Sequence, residues 1–134
     1  MVMDNPIDEA RRYMDNARQI LSEKAGKQGD LYTDPKYIKM AGHTAWVGVL
    51  IALDNALLIT DNLKKGQRAD INDYLSAASK INRSLNNQII NAYDLLHKAL
   101  GYDGVRNYGV VQKGLKSGEF IIDWCEKKIP KLKN

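Results

Sequence analysis

The sequence predicts an all-α protein, an up-down-up-down four-helix bundle, and three observations carry that expectation. The stretch from Asp70 to Leu100 places apolar residues at Ile71, Tyr74, Leu75, Ala78, Ile81, Leu85, Ile89, Ala92, Tyr93, Leu96, Ala99 and Leu100, steps of three and four held over about eight turns. Three further segments keep the same rhythm and are joined to it by short connections, which favours antiparallel neighbours. No segment alternates with a period of two, so no sheet is expected.

The first helix is expected over about 5–27. Asn5 is a good cap, Pro6 suits the first helical position, and Asp8 and Glu9 sit where the dipole favours negative charge. Ile7, Ala10, Tyr13, Met14, Ala17, Ile20 and Leu21 line one face. Leu31 to Thr33 read as a short connection. Asp34-Pro35 then repeats the opening device, and a second helix is expected over 35–63. Its apolar positions, from Tyr37 to Leu58, cover an arc wider than one stripe. Either this helix touches two neighbours or part of it faces a second subunit. Gly42 and Gly48 cost about 1 kcal/mol each against alanine, which points to close approach of another helix or room for Trp46.

Asn62 to Ala69 reads as a basic linker with Lys64, Lys65 and Arg68. Asp70 caps the third helix, 70–100, and Gly101 stops it. The fourth is expected over 105–129, with fraying or a kink near Gly114 to Gly118. Pro130 ends it, leaving a basic tail over 130–134.

With 134 residues, 44% hydrophobic and 27% charged, the chain is one globular domain and not a disordered segment. The net charge is +4, of which the last nine residues supply +3 (four lysines against Glu126). The near-neutral body argues against a surface built throughout for nucleic acid. The single cysteine, Cys125, rules out an internal disulfide and fits a reducing compartment. Met1 to Asn5 carry no basic n-region or apolar h-region, and the most apolar run, Ala45 to Ile59, is interrupted by Asp54 and Asn55. A cytoplasmic protein without a membrane span is expected.

The chemistry-bearing residues are few. If the second and third helices are antiparallel, His43 and His97 lie at one end of the bundle, where Tyr93 or Asp94 could share a polar pocket. Neither histidine belongs to a metal motif, and no cofactor is expected. Cys125 falls on a core rhythm near a helix end, away from the cation or helix start that activates a thiolate. Asn82, Asn86, Asn87 and Asn91, with Arg83 among them, form a polar strip suited to a ligand, a partner helix or a nucleic-acid backbone. The plainer reading of that strip is a solvated face.

Arg106-Asn107, at the start of the fourth helix, resembles the motif of the HEPN superfamily, in which arginine and a polar residue are followed after a short spacer by histidine. The Ala10, Tyr13 and Ala17 pattern and the wide apolar second helix are similar to that family too. The resemblance implies a small helical bundle, of which some members are ribonucleases and others non-catalytic binding modules. Tyr108 to Lys113 contain no histidine, so the resemblance implies a non-catalytic member in which Arg106 at most binds phosphate.

The leading functional expectation is a non-enzymatic helical interaction module, a homodimer formed through the second or the fourth helix. A second is RNA binding or a ribonuclease-like role using Arg106, Asn107, Arg83, Asn87, Lys64 and Lys65. A third is small-molecule binding at the bundle end, in a cavity lined by Trp46, Tyr93 and His97 beside His43.

Overall fold

The structure, a computed structural model, describes residues 5–59, 63–64 and 66–133. Helix α1 spans Pro6–Glu23, opened by the Asn5 carboxamide oxygen, which accepts from the amides of Ile7 at 3.0 Å and Asp8 at 3.2 Å. Ile7, Ala10, Met14, Ala17 and Leu21 are buried at steps of three and four. The helix stops short of the expected residue 27 because the chain turns into a hairpin, β1 (Lys27–Gln28) antiparallel to β2 (Leu31–Tyr32). The expectation of no sheet is thereby corrected. Strands of two residues are too short for alternation to show in the sequence. Gly26 adopts φ +66°, and a Cβ there would collide with Thr33 Oγ1, so only glycine fits.

Helix α2 spans Pro35–Ala56, with the Asp34 carboxylate accepting from the Lys36 amide at 3.0 Å. It ends before the expected residue 63, and Leu58 follows with φ 52°. The single helix expected over 70–100 is three elements. Helix α3 (Ile71–Ser79) starts on a reciprocal cap between Asp70 and Asp73. The chain then turns, and helix α4 (Arg83–Ala92) begins where Asn82 accepts from the Leu85 amide at 2.9 Å. Asn82 offers the backbone an alternative to continued helix, which is why the rhythm breaks. Ile81, on the expected buried stripe, is exposed. A π-helix over Tyr93–Tyr102 continues α4 without a gap.

Helix α5 spans Tyr108–Lys133 and is capped by Asn107, whose Oδ1 accepts from the Val110 amide at 3.0 Å. It runs through Gly114 and Gly118 as unbroken helix, without the expected fraying. A Cβ on either glycine would press on a neighbouring side chain, Leu96 at 3.1 Å and Met14 at 2.8 Å, so both mark close packing. It also continues past Pro130, where an end was expected, since one forfeited hydrogen bond in the last turn does not redirect the backbone. The expected free tail over 130–134 is therefore helical to Lys133, and Asn134 lies outside the described residues.

The chain is predominantly helical. Helices α2 and α5 pack together, with α1 against both on one side and the α4–π rod against both on the other. Arg11 reaches Asp123 while Arg18 reaches Glu119, so α1 and α5 run antiparallel. Gly42 faces Leu96 to Gly101 while Asp54 faces Tyr74, so α2 runs against the 71–102 segment. Ile38, Val49, Leu53, Leu85, Ile89, Leu96, Leu100, Val111, Leu115, Ile122 and Cys125 fill the core between them.

Candidate functional site

The winding of residues 93–102 decides which side chains meet. In an α-helix, residues five apart point to nearly opposite sides. An i→i+5 ladder stacks them instead. Tyr93, His97 and Tyr102 therefore share one face, and Leu96 and Gly101 share another that lies on α2. The His97 ring stacks on Tyr93 at 5.1 Å between centroids and meets Tyr102 edge-on at 5.5 Å. From α2, Trp46 lies 5.6 Å from Tyr93 and 5.9 Å from His97, and His43 lies 6.0 Å from His97 and 6.4 Å from Tyr102. The two histidines of the chain thus sit in one aromatic cluster. The close approach behind it needs glycine on both helices: a Cβ on Gly42 would stand 2.7 Å from the Gly101 amide, and one on Gly101 3.1 Å from His43.

His97 Nδ1 is buried and has no hydrogen-bond partner among the described residues. Burial, then the neighbouring His43 and Lys98, hold its pKa below the ordinary imidazole value, so the ring is neutral at neutral pH. Beside it, Trp46, Leu50, Asp70, Tyr74, Tyr93 and His97 line a cleft of about 250 Å³ between α2, the start of α3 and the π-helix. The Tyr74 hydroxyl donates to the Asp54 carboxylate. Burial raises the Asp54 pKa against the opposing pull of that bond, and burial with the bonded carboxylate pushes the Tyr74 phenol well above its usual range. Asp94, a candidate for sharing this pocket, is exposed and 3.9 Å from Lys98 Nζ.

The remaining candidates do not gather into one patch of chemistry. Arg106 is exposed, and its carbonyl accepts from the Tyr32 amide at 2.9 Å. Asn107 caps α5 and bridges to Leu31. This pair joins the hairpin to α5, a structural task that the sequence could not show without the hairpin. Arg83 opens α4 and is exposed, as is Asn87, while Asn86 Oδ1 is buried without a partner among the described residues. Lys64 closes a turn with Gln67, and Lys65 lies outside the described residues. Cys125 is buried, and burial pushes its thiol up to about 12, so it supplies no thiolate. Among the described residues no group of three His, Cys, Asp or Glu could hold a metal ion, and no helix is long and apolar enough to cross a membrane.

The outward face of α2 is the other unusual surface. Met40, Thr44, Val47 and Ile51 follow one another at helical spacing, and Met40 and Val47 are 44% and 40% exposed. The helix touches three neighbours and still leaves Met40 and Val47 exposed, with Thr44 and Ile51 half-buried. Thr44 borders a shallow groove with Tyr13, Asn16 and Ile20 of α1, which extends the face sideways. Lys36 and Lys39 lie at its start and Asp54 at its end.

No curated protein matches the chain. A solved structure, a protein of unknown function from Dyadobacter fermentans, is similar with a TM-score of 0.83 and 39% identity, covering 92% of this chain and 95% of that one. Residues 5–127 match the family described as "Domain of unknown function (DUF5618)", and the chain belongs to that family.

Proposed function

We propose that the protein is a non-enzymatic helical interaction module that pairs with a second copy of itself through the outward face of α2. The observation that carries this reading is the line of exposed Met40 and Val47 with half-buried Thr44 and Ile51 between and beside them, on a helix already packed on three sides. An antiparallel pairing about a two-fold axis near Ala45 and Trp46 sets Met40 against Ile51 and Thr44 against Val47. The same operation sets Lys36 of one copy against Asn55 of the other and within one residue of its Asp54, so unlike groups meet at the ends of the face. The antiparallel succession of α1, α2, the α4–π rod and α5 supports reading the fold as an up-down-up-down four-helix bundle, of the kind the HEPN resemblance implies, with α3 as an addition.

Light scattering on the eluting protein, with nucleic-acid absorbance read on the same peak, tests this. The expected result is twice the chain mass of 15.1 kDa, free of nucleic acid and unchanged between low and high salt, because the centre of the face is apolar. Met40→Glu with Val47→Glu halves the mass and leaves the helical signal intact. A monomeric wild type overturns the reading. So does a peak carrying RNA that high salt removes, which turns attention to Arg106, Arg83 and Lys64.

A further inference from the structure

The aromatic cleft between α2, the start of α3 and the π-helix has the chemistry of a cation pocket. Its walls are the rings of Trp46, Tyr74, Tyr93 and His97, with Leu50 beside them. Asp70, exposed to solvent, is the only carboxylate side chain among the described residues that line it. Its carboxylate caps α3 through one oxygen, Oδ1, which accepts from the amides of Asn72 and Asp73. A second carboxylate, Asp54, stands behind Tyr74 and accepts a hydrogen bond from its hydroxyl, which leaves the phenol oxygen the richer in electrons. Among the described residues no lysine or arginine lines the cleft. Lys98 places its ammonium 4.9 Å from the Tyr93 ring centroid while pairing with Asp94, so a cation is accommodated at this cluster within the chain itself. His97 carries an unpartnered, buried Nδ1 in the wall.

We infer that this cleft binds a small organic ammonium ion, its cationic head against the Trp46 and Tyr74 rings and its apolar stem along Leu50. Aromatic faces attract cations through their quadrupole, tryptophan most strongly, and the attraction grows as water is excluded. Both Trp46 and Tyr74 are buried, and a volume of about 250 Å³ is that of about eight water molecules, which suits a ligand of similar heavy-atom count. An anion would meet Asp70 and the negative ring faces at once. A neutral ligand of the same shape would gain the apolar contacts and forgo the electrostatic ones.

The test compares choline with its neutral isostere 3,3-dimethyl-1-butanol, titrated into the full chain by calorimetry and followed by the ring proton resonances of Trp46. Choline is expected to bind saturably and about ten-fold more tightly than the isostere. Asp70→Asn keeps a side-chain acceptor at the cap, since asparagine caps as well as aspartate, and removes the charge. It should weaken choline several-fold and leave the isostere unchanged. Equal affinity for the two probes, or no saturable binding of choline, overturns the inference. Choline binding that ignores Asp70→Asn overturns the assignment to this cleft. None of these outcomes depends on the oligomeric state, so the inference stands or falls apart from the pairing of α2.

Discussion

Two seams of this molecule are held in different ways. Where α1 meets α5, Arg11 spans Asp123 at 2.9 Å and Glu126 at 3.0 Å, and Arg18 meets Glu119, all with side chains that solvent reaches. Where α2 meets the π-helix, Gly42 lies against Gly101, and an aromatic cluster with both histidines closes the end. Exposed ion pairs gain little, because water screens the attraction and the long side chains lose freedom. Glycine contacts between helices leave no slack, because packed interiors have no room for another methyl group. The first seam tolerates change, and the second fixes the positions of the groups that could carry function.

The largest break should come from Gly42→Ala. The added Cβ would stand 2.6 Å from Leu100 Cβ and 2.7 Å from the Leu96 carbonyl oxygen. Alanine's better helix propensity returns about 1 kcal/mol, and overpacking against backbone exceeds it. A net loss of about 2 kcal/mol is expected in urea unfolding. A stabilised variant would show that the π-helix can shift away from α2.

A smaller effect should follow from protonating His97. Its folded-state pKa lies below the ordinary imidazole value, so the unfolded chain binds the proton more readily. Stability is then lost as pH falls below about 6.5 and is fully present above it. His97→Phe keeps an aromatic ring and removes the titration, so its stability should vary less with pH over that window than the wild type's. Parallel pH profiles for the two proteins would place the loss elsewhere.

The smallest effect is expected at the other seam. Arg11→Ala should cost below about 1 kcal/mol and lose even that difference in high salt. A loss matching that of Gly42→Ala would mean that the two seams are alike after all.

The same contrast explains what was legible in the sequence. Asn5-Pro6 and Asp34-Pro35 announce helix starts by local chemistry, and both open helices in the structure. The burial of Cys125 and of most of the α1 stripe follows from periodicity alone. The break at Lys80–Asn82 rests on Asn82, a local cap that the apolar rhythm running through it hides. The π-helix was not legible, because a 3.6-residue period puts Tyr102 away from His97, and only i→i+5 winding brings them together. The hairpin was invisible for another reason. Its pairing is completed by Arg106 and Asn107, far away in the chain. Arg106-Asn107 accordingly resembles a motif in the sequence, while in the structure its carbonyl and carboxamide serve the hairpin and the α5 cap.

The pairing of α2 with a second α2 is tested most directly by distances between spin labels on Thr44→Cys and, separately, on Asn55→Cys. The native thiol, Cys125, is buried and leaves the labelling to the introduced cysteine. Antiparallel pairing predicts a short distance at position 44, near the two-fold axis, and labels at position 55 that are about 28 Å apart along the helix. A short distance at position 55, or no coupling between labels at position 44, would contradict it.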